Sequence, residues 1–336
     1  MRTATIGTWR HRLGNGDHAR RHALVRAYFL LTSGAIVRKV LFNADHKLRN
    51  GWWALIFVAC IAATAVPYPS ISHGLQSLGV AKDWLHPAPV VMVLLATWIC
   101  TRLRRESLAS VGLRMDRRWA REFAWGCALG FGALLLAAGL IFAIGGVRFE
   151  VDPARSVGNM AFGLYLFVSV AVLEELMFRG FLFQRLVAGI GAWPTQVALA
   201  ALFAIAHWGN PGMEGATKVW ASIDIALAAI MLGLAFLRTR SLALPIGLHL
   251  GWNWTQGHLL GFGVSGIDLT GWWHPVFMDR PTWLTGGEFG PEASVFGVMA
   301  DLVMLAIVWK WPRRAADPVA VPTSAPALVE VGPLPT

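Results

Sequence analysis

Apolar residues run through most of this chain in blocks separated by short polar stretches, and eight of these blocks are read as membrane-crossing helices. A helix rises about 1.5 Å per residue, so roughly 17–25 mostly apolar residues are needed to cross hydrocarbon. The blocks are Trp52–Tyr68, Ala88–Thr101, Ala120–Gly145, Met160–Gly189, Pro194–Trp208, Val219–Leu237, Leu242–Leu260 and Ala293–Trp309. The second and fifth are short for a full crossing. Ala27–Val37 is apolar as well, but it is short and has basic residues on both sides, which suits a helix lying in the interface better than a ninth crossing.

The expected fold is therefore all-α, a polytopic membrane bundle of about eight transmembrane helices. Residues 1–51 read as a basic cytoplasmic tail, 52–311 as the membrane-embedded domain, and 312–336, rich in Pro, Ala and Val, as a disordered cytoplasmic tail. The segment from Gly261 to Glu292 carries Trp272, Trp273 and Trp283 and is expected to lie as a loop at the membrane interface, in preference to a substrate lid. No internal repeat or separate soluble domain is evident.

Polar residues inside the apolar blocks change the picture from a plain bundle to a functional one. Glu174, Glu175 and Arg179 interrupt the fourth block, His207 ends the fifth, and His249 and Asn253 share the seventh. An ionisable side chain in hydrocarbon costs about 2.5–3.5 kcal/mol on insertion scales, so such residues mark function by default. If the fourth and fifth helices turn near Gly191, Glu174 lies 17 residues before the turn and His207 16 after it, which places them at similar depth. A turn near Thr239 brings His249 and Asn253 to about 15–21 Å along the next arm, so all four groups are expected to meet near mid-membrane.

Helical spacing separates their roles. Glu175 and Arg179 stand four apart in the favourable Glu-before-Arg order, which leaves Glu174 free to face a cavity. Phe203 and His207 share a face, as do His249 and Asn253. A carboxylate, two imidazoles and an amide offer a base, hydrogen-bond donors or metal ligands. Asp224 and Asp301 also lie in apolar blocks and are read as packing groups or part of a polar cavity wall. Gln256, His258 and His274 are expected near the outer surface, in contact with water.

The composition is 56% hydrophobic and 14% charged, which describes a polytopic membrane protein better than a soluble domain. The net charge of +10 does not imply nucleic acid, because the basic residues flank the apolar blocks. With both ends in the cytoplasm, 24 of the 29 Lys and Arg fall on the inner side and 5 on the outer. The N-terminal region, with Arg10, Arg12, Arg20 and Arg21, lacks the layout of a signal peptide and is expected to stay on the mature protein. Cys60, Cys100 and Cys127 show no ligand spacing and are read as small buried hydrophobes.

Three motifs in order, Glu-Glu-x-x-x-Arg at Glu174, Glu175 and Arg179, Phe-x-x-x-His at Phe203 and His207, and His-x-x-x-Asn at His249 and Asn253, resemble a known family. That family is the CAAX prenyl protease type II and bacteriocin-processing (CPBP) group of intramembrane proteases. The resemblance spans about residues 106–260 and includes Leu108–Arg114, which is similar to a segment found ahead of the family's core. It implies peptide-bond hydrolysis in the bilayer, with Glu174 and His207 activating water, His249 and Asn253 stabilising the oxyanion, and Glu175 and Arg179 holding the site. The implied partners are membrane lipids and a membrane-associated protein or peptide substrate, prenylated or not. Zinc held by Glu174, His207 and His249 and a metal-free glutamate mechanism are both compatible with the motifs, and Asn253, a better donor than ligand, tilts the reading to the latter. A transporter lined by the same charges and a non-catalytic scaffold of the same fold are the alternatives.

Overall fold

A computed structural model describes residues 36–314. Of the expected interfacial helix at 27–37 only residues 36 and 37 are included. The basic stretch before it and the tail from 315 onward lie outside the described residues.

All eight apolar blocks form helices. In chain order these are α1 (Asn50–Ala65) with its continuation α2 (Tyr68–Ser77), α3 (Ala88–Leu103), α4 (Arg117–Ala143), α5 (Val157–Arg179), α6 (Phe181–Ile190), α7 (Ala192–Ala206), α8 (Gly215–Thr239), α9 (Ala243–Trp254) and α10 (Val295–Lys310). Five helical stretches are long and apolar enough to cross a membrane: Asn50–Ser77, Lys82–Leu103, Arg117–Ala143, Val157–Ile190 and Gly215–Thr239. Of the eight expected blocks, five therefore belong to stretches of crossing length and composition. The other three, α7, α9 and α10, have 15, 12 and 16 residues. A π-helical turn, Thr255–Leu259, extends α9. The protein is a polytopic helical membrane protein.

Helix ends follow local chemistry. Asp116 caps α4 by accepting hydrogen bonds from the backbone N–H groups of Arg118 (3.0 Å) and Trp119 (2.9 Å), and Ser156 and Ser294 cap α5 and α10 in the same way. The fourth block does not run as one straight helix. It breaks at Gly180, where an added Cβ would overlap the Leu176 carbonyl, and resumes as α6 before turning at Gly191 (φ +91°).

The closest packing in the bundle joins α4 to α9. Gly126 and Gly130 on α4 meet Gly247 and Gly251 on α9, and a Cβ at Gly130, Gly247 or Gly251 would overlap the backbone of the facing helix. Small residues four apart allow such approach between membrane helices. Because successive residues turn by about 100°, the flat glycine face of α9 against α4 turns His249 and Asn253 toward α5. The Leu108–Arg114 segment docks beside this pair, where the Gly112 carbonyl accepts a hydrogen bond from the Leu242 N–H at 3.0 Å.

A two-stranded antiparallel ribbon joins β1 (Val147–Val151) to β2 (Trp273–Phe277), with Val147 opposite Phe277 and Val151 opposite Trp273. The segment from Gly261 to Glu292 is therefore not a plain interfacial loop. Phe262 and Phe289 are buried, and Val264, Ser265, Ile267 and Leu269 line the central cavity. Trp283 does remain exposed, stacked on Trp220.

Two further expectations are corrected here. Gln256 and His258 are buried rather than solvated: the Gln256 amide donates to the Gly263 carbonyl at 2.7 Å, and the His258 ring lies on Gly163 and meets the Phe167 ring edge-on. Both belong to the wound end of α9, where the π-helical turn points them inward. His274 is exposed, as expected. Of the cysteines, Cys100 is buried and Cys60 and Cys127 are partly so, all three as free thiols.

Candidate active site

Glu174, His207, His249 and Asn253 line one cavity of about 680 Å³ in the middle of the bundle. Three helices supply them: α5 carries Glu174 near its C-terminal end, α7 ends at His207, and α9 presents His249 and Asn253 from one face. The rest of the wall is largely apolar, with Phe167, Val170, Leu173 and Met177 of α5 on one side and Met231 and Leu232 of α8 on another.

The paired residues behind this wall are the most buried of the set. Glu175 is completely enclosed and Arg179 is 3% exposed. Arg179 Nη1 donates to Glu175 Oε1 at 3.0 Å, its Nη2 donates to the Ala229 carbonyl at 2.9 Å, and its guanidinium lies 5.3 Å from the centre of the Phe203 ring. One helical turn of α5 is thereby tied to α8 and to the ring that precedes His207. The expected i,i+4 pair is present, and it does more than neutralise a charge.

Glu175 also reaches the second helix of the site. Its Oε1 accepts from His249 Nδ1 at 3.0 Å, while His249 Nε2 stands 3.8 Å from Glu174 Oε2. Since a carboxylate only accepts, the Nδ1 proton of His249 is committed to Glu175 and Nε2 faces Glu174 and the cavity. His207 is oriented by the same logic. Its Nδ1 lies 2.7 Å from the Phe203 carbonyl, another pure acceptor, so Nδ1 carries a proton and the lone pair of the neutral ring is on Nε2. The Asn253 amide has no hydrogen bond of its own among the described residues and is 9% exposed at the cavity wall.

Residues 156–255 match the Type II CAAX prenyl endopeptidase Rce1-like family. The match runs from Ser156, the cap of α5, to Thr255, just past Asn253, so it contains all three motifs and every helix that carries them. The resemblance to type II CAAX prenyl proteases is thus established for this stretch, while Leu108–Arg114 lies ahead of it. Rce1-like proteins form an intramembrane protease family. No curated protein and no solved structure matches the chain.

The donor types at the site, two imidazoles and a carboxylate, would suit zinc. Their arrangement does not: among the described residues no three His, Cys, Asp or Glu side chains converge on a point where an ion could bind.

Three carboxylates outside the three motifs also line the cavity: Asp224 of α8, Glu292 just before α10, and Asp301 of α10. For Asp224 and Asp301 this is the cavity wall that their apolar setting allowed. Glu292 had no such signal, as it sits in a Gly-Pro-Glu stretch at the end of what reads as a loop. Its Oε2 accepts from the backbone N–H and hydroxyl of Ser265, both at 2.8 Å.

Proposed function

We propose that this protein is an intramembrane endopeptidase that hydrolyses a peptide bond of a membrane-associated protein or peptide by a metal-free, glutamate-dependent route. The observation that carries the reading is the close approach of Glu174 and His249, from different helices, in a cavity that His207 and Asn253 also line.

In the proposed reaction the Glu174 carboxylate accepts a proton from water, assisted by the Nε2 lone pair of His207. The water oxygen adds to the scissile carbonyl carbon, and the carbonyl π electrons move to oxygen. The Asn253 amide donates to that oxyanion, and so does His249 in its protonated form, held between Glu174 and Glu175. The C–N bond then breaks, and the proton taken by Glu174 passes to the leaving nitrogen. Glu175 and Arg179 take no part in bond making. They fix the orientation of His249 and the position of α5 relative to α8.

The division of basic residues supports both chain ends lying in the cytoplasm. Loops assigned to that side do meet: Arg104 and Arg185 share Glu106, and the Arg314 N–H donates to the Arg238 carbonyl at 2.7 Å.

The test is cleavage of a membrane-peptide library by the purified chain in lipid. Wild type is expected to cleave, Glu174→Gln to lose at least about 10²-fold in turnover, and His207→Ala a comparable factor. A zinc chelator is expected to leave the rate unchanged. Undiminished cleavage by Glu174→Gln would sink the proposal, and loss with chelator would replace the metal-free route by a zinc one.

A further inference from the structure

Beyond the motif residues, the cavity wall holds two buried acids with no hydrogen-bond or ion-pair partner among the described residues. Asp224 and Asp301 are each 2% exposed, and Asp224 Oδ1 and Asp301 Oδ2 make no hydrogen bond. Among the described residues neither carboxylate is paired with a cation. Both line the cavity wall. A buried acceptor left unpaired is costly, and an ionisable one within an apolar membrane helix marks a pathway or a binding site.

These acids belong to the same space as the candidate site. Asp224 and Asp301 interact electrostatically with each other and with Glu292, and Glu292 in turn with His207 and His249. The same cavity is lined by the apolar side chains of Met231, Leu232, Trp252 and Met304. A largely apolar cavity with unpartnered carboxylates in its wall matches a side chain with a methylene stem and a cationic head.

We propose that the part of the cavity wall carrying Asp224 and Asp301 is a binding subsite for one lysine or arginine side chain of the peptide substrate, with the cationic head paired to the two acids. The identity of the ligand rests on the endopeptidase reading. The subsite makes that enzyme selective for membrane segments carrying a basic residue near the scissile bond.

Two sets of membrane peptides decide it, one with a lysine moved through successive positions around the scissile bond, the other with norleucine, which has a similar stem and no charge. In the wild-type chain the best lysine peptide is expected to exceed its norleucine partner in kcat/KM by about tenfold or more, the factor that about 1.4 kcal/mol of differential interaction carries. In Asp224→Asn/Asp301→Asn that ratio is expected to fall toward one. Binding of the same peptides to the Glu174→Gln protein, followed by fluorescence anisotropy, reads the subsite without catalysis. Lysine selectivity in binding with no cleavage by wild type would uphold the subsite and overturn the protease reading. Cleavage with equal treatment of lysine and norleucine would do the reverse. Should the double variant fail to fold, wild-type inhibition by n-hexylamine and by 1-hexanol replaces it, and equal inhibition by the two overturns the subsite.

Discussion

Glu175 is the residue on which the geometry of the others depends, because one enclosed carboxylate oxygen serves both Arg179 and His249. Removing one partner of a buried ion pair leaves an uncompensated charge and typically costs about 3–5 kcal/mol. Arg179→Ala is therefore expected to lower the thermal unfolding midpoint in lipid sharply and to abolish activity with it. Arg179→Lys keeps the charge but cannot serve Glu175 and the Ala229 carbonyl with one planar fork, so an intermediate loss is expected. Asn253→Ala should behave differently: its amide has no hydrogen-bond partner among the described residues, so kcat is expected to fall by about 10²–10³ while the unfolding midpoint stays near wild type. At this scale the six motif residues were legible in the sequence, because polar groups inside apolar helices stand out against their surroundings. Glu292 was not. It lies in a polar stretch where one more carboxylate carries no signal, and only the return of the chain over the cavity brings it beside Ser265.

Among the elements, the α4–α9 pair sets where the second histidine points. Gly130→Leu or Gly251→Leu would force side-chain volume between backbones in contact, and loss of both folding yield and activity is expected. Gly132 is the control on the same helix, since a Cβ there meets nothing within 4 Å. Gly132→Ala is expected to leave activity unchanged and to stabilise α4 by about 0.5–1 kcal/mol, read from thermal unfolding. The Gly-x-x-x-Gly spacings at 126/130 and 247/251 were there to be read in the sequence, but spacing alone does not say which helix faces which.

The cap of α4 adds a pH dependence outside the membrane. The hydrogen bond from the backbone N–H of Trp119, with help from that of Arg118 and the charge of Arg114, holds the Asp116 carboxyl below the usual carboxylate range against the opposing effect of desolvation. A lowered folded-state value means that the cap's contribution is complete above the unfolded value of about 3.9 and disappears as pH falls through the folded one. The unfolding midpoint of Asp116→Ala should lie below wild type at about pH 7, and the gap should close as pH drops below about 4.

For the whole molecule, the sequence determined that the chain is a helical membrane protein, where its helices lie to within a few residues, and which polar side chains inside its apolar blocks stand out as candidates for chemistry. Those properties are local: apolar run length, capping residues and i,i+4 spacing are written into neighbouring positions. It did not determine how far each helix runs, which the break at Gly180 and the positive-φ turns at Gly191 (φ +91°) and Arg240 (φ +54°) set. Nor did it show that the 261–292 segment folds back as cavity wall, since burial of Phe262, Phe289 and Glu292 comes from residues far away in the chain. The sharing of Glu175 between Arg179 and His249 was likewise decided only in three dimensions. A side chain's partners across 74 positions of sequence are fixed by helix packing, and here the glycine contact between α4 and α9 supplies it.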